Sequence, residues 1–582
     1  MANKKTRKKT ISALFARSKI IEFFVAIATF LYSKAECSLA GKILTSYNTN
    51  YGEESFICRL FGRFDLGKVF FRPIKRTVSK LVSHSFLLEK INDYLKGWLF
   101  TKLSVYGLFS ITTGVGFVLL QLLKVYGLQN GSLSFLDMFI SLLLILISVP
   151  LIISHSALNE AVCESKLIKW LLFDWLGCKK EAFEQHSFRN GHNRTALPLG
   201  LILCVLSWWI RPITLFTLIG VFILAITVLY IPETGIVTLV LLLPFLSYRQ
   251  LSVMILYITV CFLMKYIRGK RTIKFDPLAV AVLAYLLFVF LNAENILQGV
   301  LGGCIFFLVI NLIKSKKWIN RTLTSFSFAF FLSTLYGLIS YISTRFGIEY
   351  LAHIFDLADV GVMESVFLSP TVFASYIVTV LPIIIAKKQG GKGIEAFLGI
   401  IFGCVCLFLT GEYRAWISII FAVVFYLVFF GKRGLAFIGI MLFTLPFVFI
   451  NIPMEYSEKI FDGKITNNIQ RVLYKEIHGH IDVFFIASVL LFIVMMFLCL
   501  QKNITLYSRG CSNEGRRISL GTMASLVAFL TMGNGVVISV DFKLSLIFWI
   551  LLGIASCVSE TERSNALYNE NEELGYGKGE LI

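Results

Sequence analysis

An arginine and a pair of histidines interrupt the apolar runs of this chain. Arg414 lies in the short polar break 409–416, and His478 and His480 directly precede a later apolar run. Arginine offers a planar fork of donors that fits a phosphate or diphosphate, and histidine titrates near neutrality and can take a proton from a hydroxyl. These residue types predict a metal-free group-transfer site. The alternative is that Arg414 only reaches lipid headgroups and that the histidines are solvated.

The elements that must position these residues are membrane-spanning helices. The chain has 582 residues, of which 57% are hydrophobic and 15% charged, and its mean hydropathy is +0.78. This composition excludes a soluble globular protein, and lipid favours helices because they satisfy their own backbone hydrogen bonds. We therefore predict an all-α, polytopic helical bundle of about 14 to 16 transmembrane helices. The apolar runs lie near 103–124, 134–154, 196–210, 213–231, 233–247, 250–267, 277–292, 296–313, 322–343, 368–386, 393–410, 415–430, 435–451, 481–500, 518–538 and 542–557.

The distribution of lysine and arginine orients these runs. If residues 1–100 are cytoplasmic, the basic loops around 166–194, 268–274, 314–321, 387–392, 432–433 and 502–517 all fall on the cytoplasmic side. Only about 10 basic residues fall outside, as the positive-inside rule expects. The net charge of +20 then describes a surface facing anionic lipid, which excludes a nucleic-acid partner. We predict a plasma-membrane protein with both termini cytoplasmic and with Arg414 and the histidines at the outer face.

The distribution of apolar and charged residues predicts four regions. Residues 1–100 form a basic cytoplasmic or interfacial region that is not processed, although whether 20–32 spans the membrane stays open. Residues 101–195 form a two-span segment with a cytoplasmic loop, 196–558 the main membrane domain with outer loops 344–367 and 452–480, and 559–582 a cytoplasmic tail. The twelve cysteines lie in apolar spans or on the cytoplasmic side, so neither disulfides nor a metal site are expected.

Three stretches in the main domain carry a resemblance to a known family. Residues 367–376 read Phe-Leu-Ser-Pro-Thr-Val-Phe-Ala-Ser-Tyr, residues 409–416 read Leu-Thr-Gly-Glu-Tyr-Arg-Ala-Trp, and residues 478–482 read His-Gly-His-Ile-Asp. In order and topology these stretches resemble the O-antigen ligase and O-antigen polymerase superfamily. Members of that superfamily are membrane enzymes that transfer a glycan from a polyprenyl-diphosphate carrier to an acceptor on the outer face. The resemblance covers roughly residues 196–557.

The resemblance implies a role for each candidate residue. Arg414 would hold the donor diphosphate, and His480, or less strongly His478, would activate the acceptor hydroxyl. Arg345 or Arg471 would supply a second positive group. Ser369 and Tyr413 would contact substrate at the positions where the family has the asparagine of Asn-Pro and the serine of Ser-Arg.

The implied partners are a polyprenyl-diphosphate-linked glycan donor, a glycan or lipid-glycan acceptor and the membrane, with no cofactor and no metal. The chain departs from the family at Ser369, at Tyr413 and at Ile481, and it lacks an arginine shortly before Ser369. Ligase and polymerase both remain open. Two other classes also remain: a transporter or flippase of lipid-linked glycan, and a non-catalytic scaffold of a glycan assembly complex.

Overall fold

The computed structural model confirms the all-α prediction wherever it describes the chain. It describes residues 97–98, 100–127, 135–154, 156–176, 180, 196–267, 276–292, 296–346, 365–367, 369–391, 393–430, 483–508, 512–532 and 541–573. In these residues the only extended pairing is an isolated bridge between Lys102 and Ala157. Residues 1–96 of the predicted region 1–100, the predicted apolar run 435–451 and the predicted loop 452–480 lie outside the described residues.

Most of the predicted apolar runs coincide with helices to within a few residues. The helices are α1 Leu103–Leu122, α2 Phe135–Ile153, α3 Leu158–Glu164, α4 Lys166–Lys169, α5 Ala196–Leu206, α6 Pro212–Tyr230, α7 Pro232–Leu242, α8 Tyr248–Ile267, α9 Pro277–Asn292, α10 Ile296–Leu312, α11 Lys316–Phe346, α12 Pro370–Gly390, α13 Ile394–Thr410, α14 Tyr413–Phe430, α15 Val483–Ser508, α16 Asn513–Thr531 and α17 Phe542–Glu573. Short π-helical turns follow α1 and α4, and a 3₁₀ turn, Ser365–Phe367, precedes α12.

The helices form two compact units. The smaller unit contains α1 to α6, and α1 packs against both α2 and α5. Its buried cluster joins Phe117, Cys204 and Leu215, and the ring of Phe216 meets Phe117 edge-on at 6.0 Å. By contrast, α6 has only 11% of its apolar window buried. Such an apolar, unpacked surface is what lipid contact requires.

The larger unit, built from most of α7 and α8 and from α9 to α17, is centred on α12, α16 and α17. The apolar window of α12 is 72% buried and that of α17 is 89% buried. The backbones of α12 and α16 approach closely because Gly521 has no side chain: a Cβ there would lie 2.4 Å from the Cβ of Ala386. Small residues at such crossings are typical of helix packing in membranes.

Six described helices, namely α1, α6, α8, α11, α12 and α17, are long and apolar enough to cross a membrane. Seven further apolar helices in the described residues are shorter. Among these, α5 and α7 have 11 residues each, which gives a length of about 16 Å against a hydrocarbon core of about 30 Å. The composition and helices therefore establish a polytopic bundle, and the count of 14 to 16 spans stays a prediction.

One end of the larger unit gathers oppositely charged residues from loops that are far apart in sequence. The ion pairs there are Lys316–Glu562 at 2.8 Å, Lys387–Glu395 at 3.3 Å and Lys502–Asp276. We call this set of residues the charge-paired end. Lys316, Lys387 and Lys502 belong to the predicted cytoplasmic loops around 314–321, 387–392 and 502–517, so the described parts of these three loops meet at this end.

Candidate functional site

The turn that carries Arg414 lies at the opposite end of the larger unit. Helix α13 ends at Thr410 and α14 begins at Tyr413, so only Gly411 and Glu412 connect them. Gly411 adopts a left-handed conformation with φ +66°, which disfavours any residue with a Cβ. This tight reversal places Arg414 in the first turn of α14. We call Thr371, Gly411, Glu412 and Arg414 the arginine corner.

Arg414 is held loosely within the arginine corner. Its Nε lies 3.8 Å from Oε1 of Glu412, which is beyond hydrogen-bonding distance. This Nε is buried and donates no hydrogen bond within the described residues, while the side chain as a whole is 29% exposed. Glu412 in turn accepts a hydrogen bond of 3.3 Å from Oγ1 of Thr371. A partly exposed guanidinium with an unused donor is suited to binding an anion.

The rest of α14 anchors the corner to the core. Ala415 and Ser418 are fully buried, and the Ser418 hydroxyl points to the sulfur of Met532 at 3.8 Å. Met532 follows the last turn of α16. The buried face of α14 thus fixes the direction in which the helix leaves the turn, and with it the position of Arg414.

The stretch containing Ser369 meets the arginine corner. Ser369 is the N-cap of α12 and Pro370 occupies its first position, where the missing N–H and the fixed φ of proline suit a helix start. The Ser369 hydroxyl does not cap the amides of α12. Two residues later, Thr371 bonds Glu412. Ser369 and Arg414 therefore flank the same hydrogen bond between α12 and the turn before α14.

A second cation lies beside the residues that precede α12. The Nζ of Lys543, at the start of α17, donates to the carbonyl of Pro244 at 2.6 Å and to that of Val366 at 3.3 Å. It also lies 5.2 Å from the ring centroid of Phe367, and that ring packs on Tyr376 at 4.7 Å. An ammonium has three donors, so one remains beyond these two bonds.

Lys543 is a residue that the sequence pattern did not single out. Its two carbonyl partners are 299 and 177 residues away along the chain, so no local spacing relates them. The signal in the sequence was a basic residue at the start of an apolar run, two residues after Asp541.

Arg345 lies further along α11 than the point where that helix contacts the 3₁₀ turn before α12. Arg345 is exposed in the last turn of α11. The 3₁₀ turn before α12 contacts α11 at Ser333, whose carbonyl accepts a 2.8 Å hydrogen bond from the hydroxyl of Ser365. Arg345 is twelve residues further on, which at a rise of 1.5 Å per residue is about 18 Å along the helix axis. The expectation that Arg345 supplies the second positive group stays a prediction.

The remaining candidate residues are described only in part or not at all. Tyr413 is the first residue of α14, and only its backbone is described. Arg471, His478 and His480 lie outside the described residues, so their roles stay predictions. Helix α15 begins at Val483 and runs toward Lys502 at the charge-paired end. Its start, which the histidines precede in sequence, therefore lies at the same end of the larger unit as the arginine corner.

Within the described residues, no cluster of three or more histidine, cysteine or acidic side chains could hold a metal ion. The arginine corner offers a guanidinium, a carboxylate and a hydroxyl group where α12, α13 and α14 meet. The fold and composition together define a polytopic helical membrane protein with a polar corner at one end.

No protein-family model, curated protein or solved structure matches the chain. The family resemblance accordingly stays a prediction.

Proposed function

We propose that this protein transfers or polymerises a glycan from a polyprenyl-diphosphate-linked donor to an acceptor hydroxyl at the outer face of the plasma membrane. The observation that carries the proposal is Arg414, a partly exposed arginine with a buried donor that meets no acceptor among the residues that the structure describes. A diphosphate ester would complete its bonding through charge-assisted hydrogen bonds. The order of the three motifs along the sequence supports the same substrate class.

The reaction would be a displacement at the anomeric carbon of the donor glycan. The acceptor oxygen forms a bond to that carbon as the bond from carbon to the diphosphate oxygen breaks, and the electron pair of that bond leaves with the diphosphate. Arg414 stabilises the negative charge that grows on the leaving group. In the role that the resemblance implies, His480 takes the hydroxyl proton as the new glycosidic bond forms.

The distribution of charges favours this enzyme class over a transporter. A transporter of a charged lipid-linked glycan is expected to keep ionisable residues near the middle of its spans or to break helices there. In the six long apolar helices that the structure describes, Asp, Glu, Lys and Arg occur near the ends of the predicted spans, as Arg249, Lys265, Lys387 and Lys543 do. The arginine corner is likewise a boundary feature.

The direct test uses the full-length purified protein in detergent or in lipid vesicles. A polyprenyl-diphosphate glycan is supplied with a glycan or lipid-glycan acceptor in the presence of a chelator, and the products are analysed for longer or transferred glycan. We expect release of polyprenyl diphosphate in step with formation of the new glycosidic bond. Movement of intact donor across vesicle membranes with no new bond would instead support a flippase. If the protein shows neither transfer nor movement, only the scaffold class remains.

A further inference from the structure

A polar cavity opens at the charge-paired end, away from the arginine corner. It encloses about 170 Å³ between α11, α12, α13 and α16, which is room for several water-sized groups and hence for a phosphate. Its polar lining consists of Asn320, Thr324, Lys387, Lys388, Glu514 and Arg517. Three of these six side chains are cationic and one is a carboxylate.

Part of this charge is already neutralised inside the protein. Lys387 pairs with Glu395 at 3.3 Å and also contacts the hydroxyl of Ser327 at 3.3 Å. Glu514 accepts a hydrogen bond of 3.0 Å from the amide of Asn320; this neutral donor holds the carboxylate in place and leaves its charge, so the lining keeps two cations against one carboxylate. These contacts leave Lys388 and Arg517 as the cations whose charge remains available.

Lys388 and Arg517 are oriented by backbone carbonyls. The Nζ of Lys388 donates to the carbonyl of Gly393 at 2.9 Å, and Nη1 of Arg517 donates to the carbonyl of Gln389 at 2.8 Å. Within the part of the chain that the structure describes, neither forms an ion pair. An ammonium has three donors and a guanidinium five, so each holds its place with one bond and keeps several donors for an anion.

The backbone at the cavity also favours negative charge. Gly391 is extended, and a Cβ there would meet nothing within 4 Å, so the cavity is open beside it. Gly393 is the N-cap of the 17-residue helix α13 and has no side chain to cap its first amides. The positive end of that helix therefore adds to the two cations.

An apolar stripe begins at the mouth of this cavity and follows α13. Its members are spaced three or four residues apart, which puts them on one helix face. They are Ile394, Phe397, Ile401, Val405 and Phe408, all exposed. Lys388 lies where the two surfaces meet, because its Nζ is 5.5 Å from the ring centroid of Phe397.

We infer that this cavity binds the phosphate headgroup of an anionic membrane lipid, with Lys388 and Arg517 as phosphate ligands and the α13 stripe against the acyl chains. A soluble phosphate would use the same two cations but would gain nothing from the stripe. The apolar surface that continues from the cavity therefore favours the lipid. The site is remote from the arginine corner and does not rest on the proposed glycan transfer.

The test measures lipid-dependent thermal stability of the full-length protein in micelles of a neutral detergent. Phosphatidylglycerol, phosphatidylcholine and inorganic phosphate are titrated separately. We expect phosphatidylglycerol to raise the melting temperature in a saturable way that the other two do not match. The variant Lys388→Gln/Arg517→Gln should bind phosphatidylglycerol on the order of tenfold or more weaker, because it loses two charge-assisted hydrogen-bond donors.

Two further variants keep the result interpretable. Lys166→Gln/Lys317→Gln removes the same charge from exposed lysines that do not line the cavity, and it should titrate like wild type. Lys388→Arg/Arg517→Lys keeps both charges and should retain most of the affinity, which would show that the loss in the glutamine variant is not misfolding. Equal loss in the exposed-lysine control would overturn the site. An equal shift with inorganic phosphate would overturn the lipid as its occupant.

Discussion

The ion-paired residues at the charge-paired end lie within hydrogen-bonding distance of one another, whereas within the described residues Arg414 at the arginine corner has no acidic group that close. Glu562 is buried and accepts hydrogen bonds from Lys316 at 2.8 Å and from both the amide and the hydroxyl of Ser512 at 3.1 and 2.9 Å. In the part of the chain that the structure describes, Arg414 has Glu412 as its acidic neighbour at 3.8 Å, and its buried Nε meets no acceptor. The first arrangement satisfies its charges, and the second leaves a charge available.

This difference indicates that the paired charges stabilise the fold, whereas Arg414 is available to bind a ligand. A buried carboxylate loses its hydrogen bonds to water, and three protein donors replace them. Removing the carboxylate leaves those donors unsatisfied. A loosely paired arginine contributes little to stability, because its nearest counter-charge is distant and both groups are partly hydrated. Its free donors are instead ready for an anionic ligand. The predictions below test that division.

The largest contrast expected between the two ends is their access from outside the cell. Thr371 is exposed at the start of α12 and Gly391 is exposed just after its end. In a background without the native cysteines, Thr371→Cys should react with an impermeant maleimide in intact cells and Gly391→Cys should not. Both should react once the cells are permeabilised. Labelling of Gly391→Cys alone in intact cells would invert the orientation and place the arginine corner inside.

Replacing Arg414 should remove most of the transfer activity. Arg414→Ala is expected to lower the transfer rate on the order of a hundredfold to ten-thousandfold, because the diphosphate leaving group loses its charge-assisted donors. Arg414→Lys should also be badly impaired, since an ammonium keeps the charge but not the two-pronged geometry. The measurement is the initial rate of new glycosidic bond formation by purified protein.

Arg345→Ala is the matched control for that experiment. It removes the same guanidinium from an exposed position in the last turn of α11, twelve residues beyond the contact of that helix with the 3₁₀ turn, so its rate should stay within about threefold of wild type. Melting temperatures of both variants should match the wild-type value, which excludes misfolding. Normal transfer by Arg414→Ala would remove the arginine corner as the site.

At the charge-paired end, the same kind of change should reduce stability instead. Glu562→Ala removes the acceptor of three hydrogen bonds, and we expect the free energy of unfolding to fall by about 2 to 3 kcal/mol. Unfolding in a fixed detergent by a chemical denaturant measures this. Glu514→Gln is the control: this carboxylate is exposed and accepts a hydrogen bond from the neutral amide of Asn320, so its change should stay within about 0.5 kcal/mol. Equal losses would mean that burial at this end has no energetic consequence.

The positions of the helices were largely predictable because an apolar run long enough to cross lipid has few alternatives to a helix. The differences occur where charged residues prolong a helix. Helix α11 begins at Lys316, ahead of the predicted run near 322, and α17 continues to Glu573, beyond 557. A prediction from hydropathy places the end of a span at the first charged residues. Here Lys316 of α11 and Glu562 of α17 form an ion pair between the two helices. Their pairing stabilises the ends that hydropathy excluded.

The candidate site was predictable only in its local parts. The Gly411 turn and the Arg414 break could be read from consecutive residues. The bond from Thr371 to Glu412 joins residues 41 apart, and that from Lys543 to Val366 joins residues 177 apart. Such contacts depend on which helices pack together. A single sequence does not encode that choice in any local pattern.

The smallest effect we expect is that of Glu412→Gln, and it tests the comparison most directly. Glutamine keeps the size of the side chain and can still accept the hydrogen bond from Thr371, so only the weak attraction to Arg414 at 3.8 Å is lost. The free energy of unfolding should change by at most about 0.5 kcal/mol, and the transfer rate by less than about tenfold, because the donors of Arg414 remain. Both are measured on the same purified protein as above. A loss of stability comparable to that of Glu562→Ala would show that Arg414 is held by its carboxylate as firmly as Lys316 is, and the two ends would then use charge in the same way.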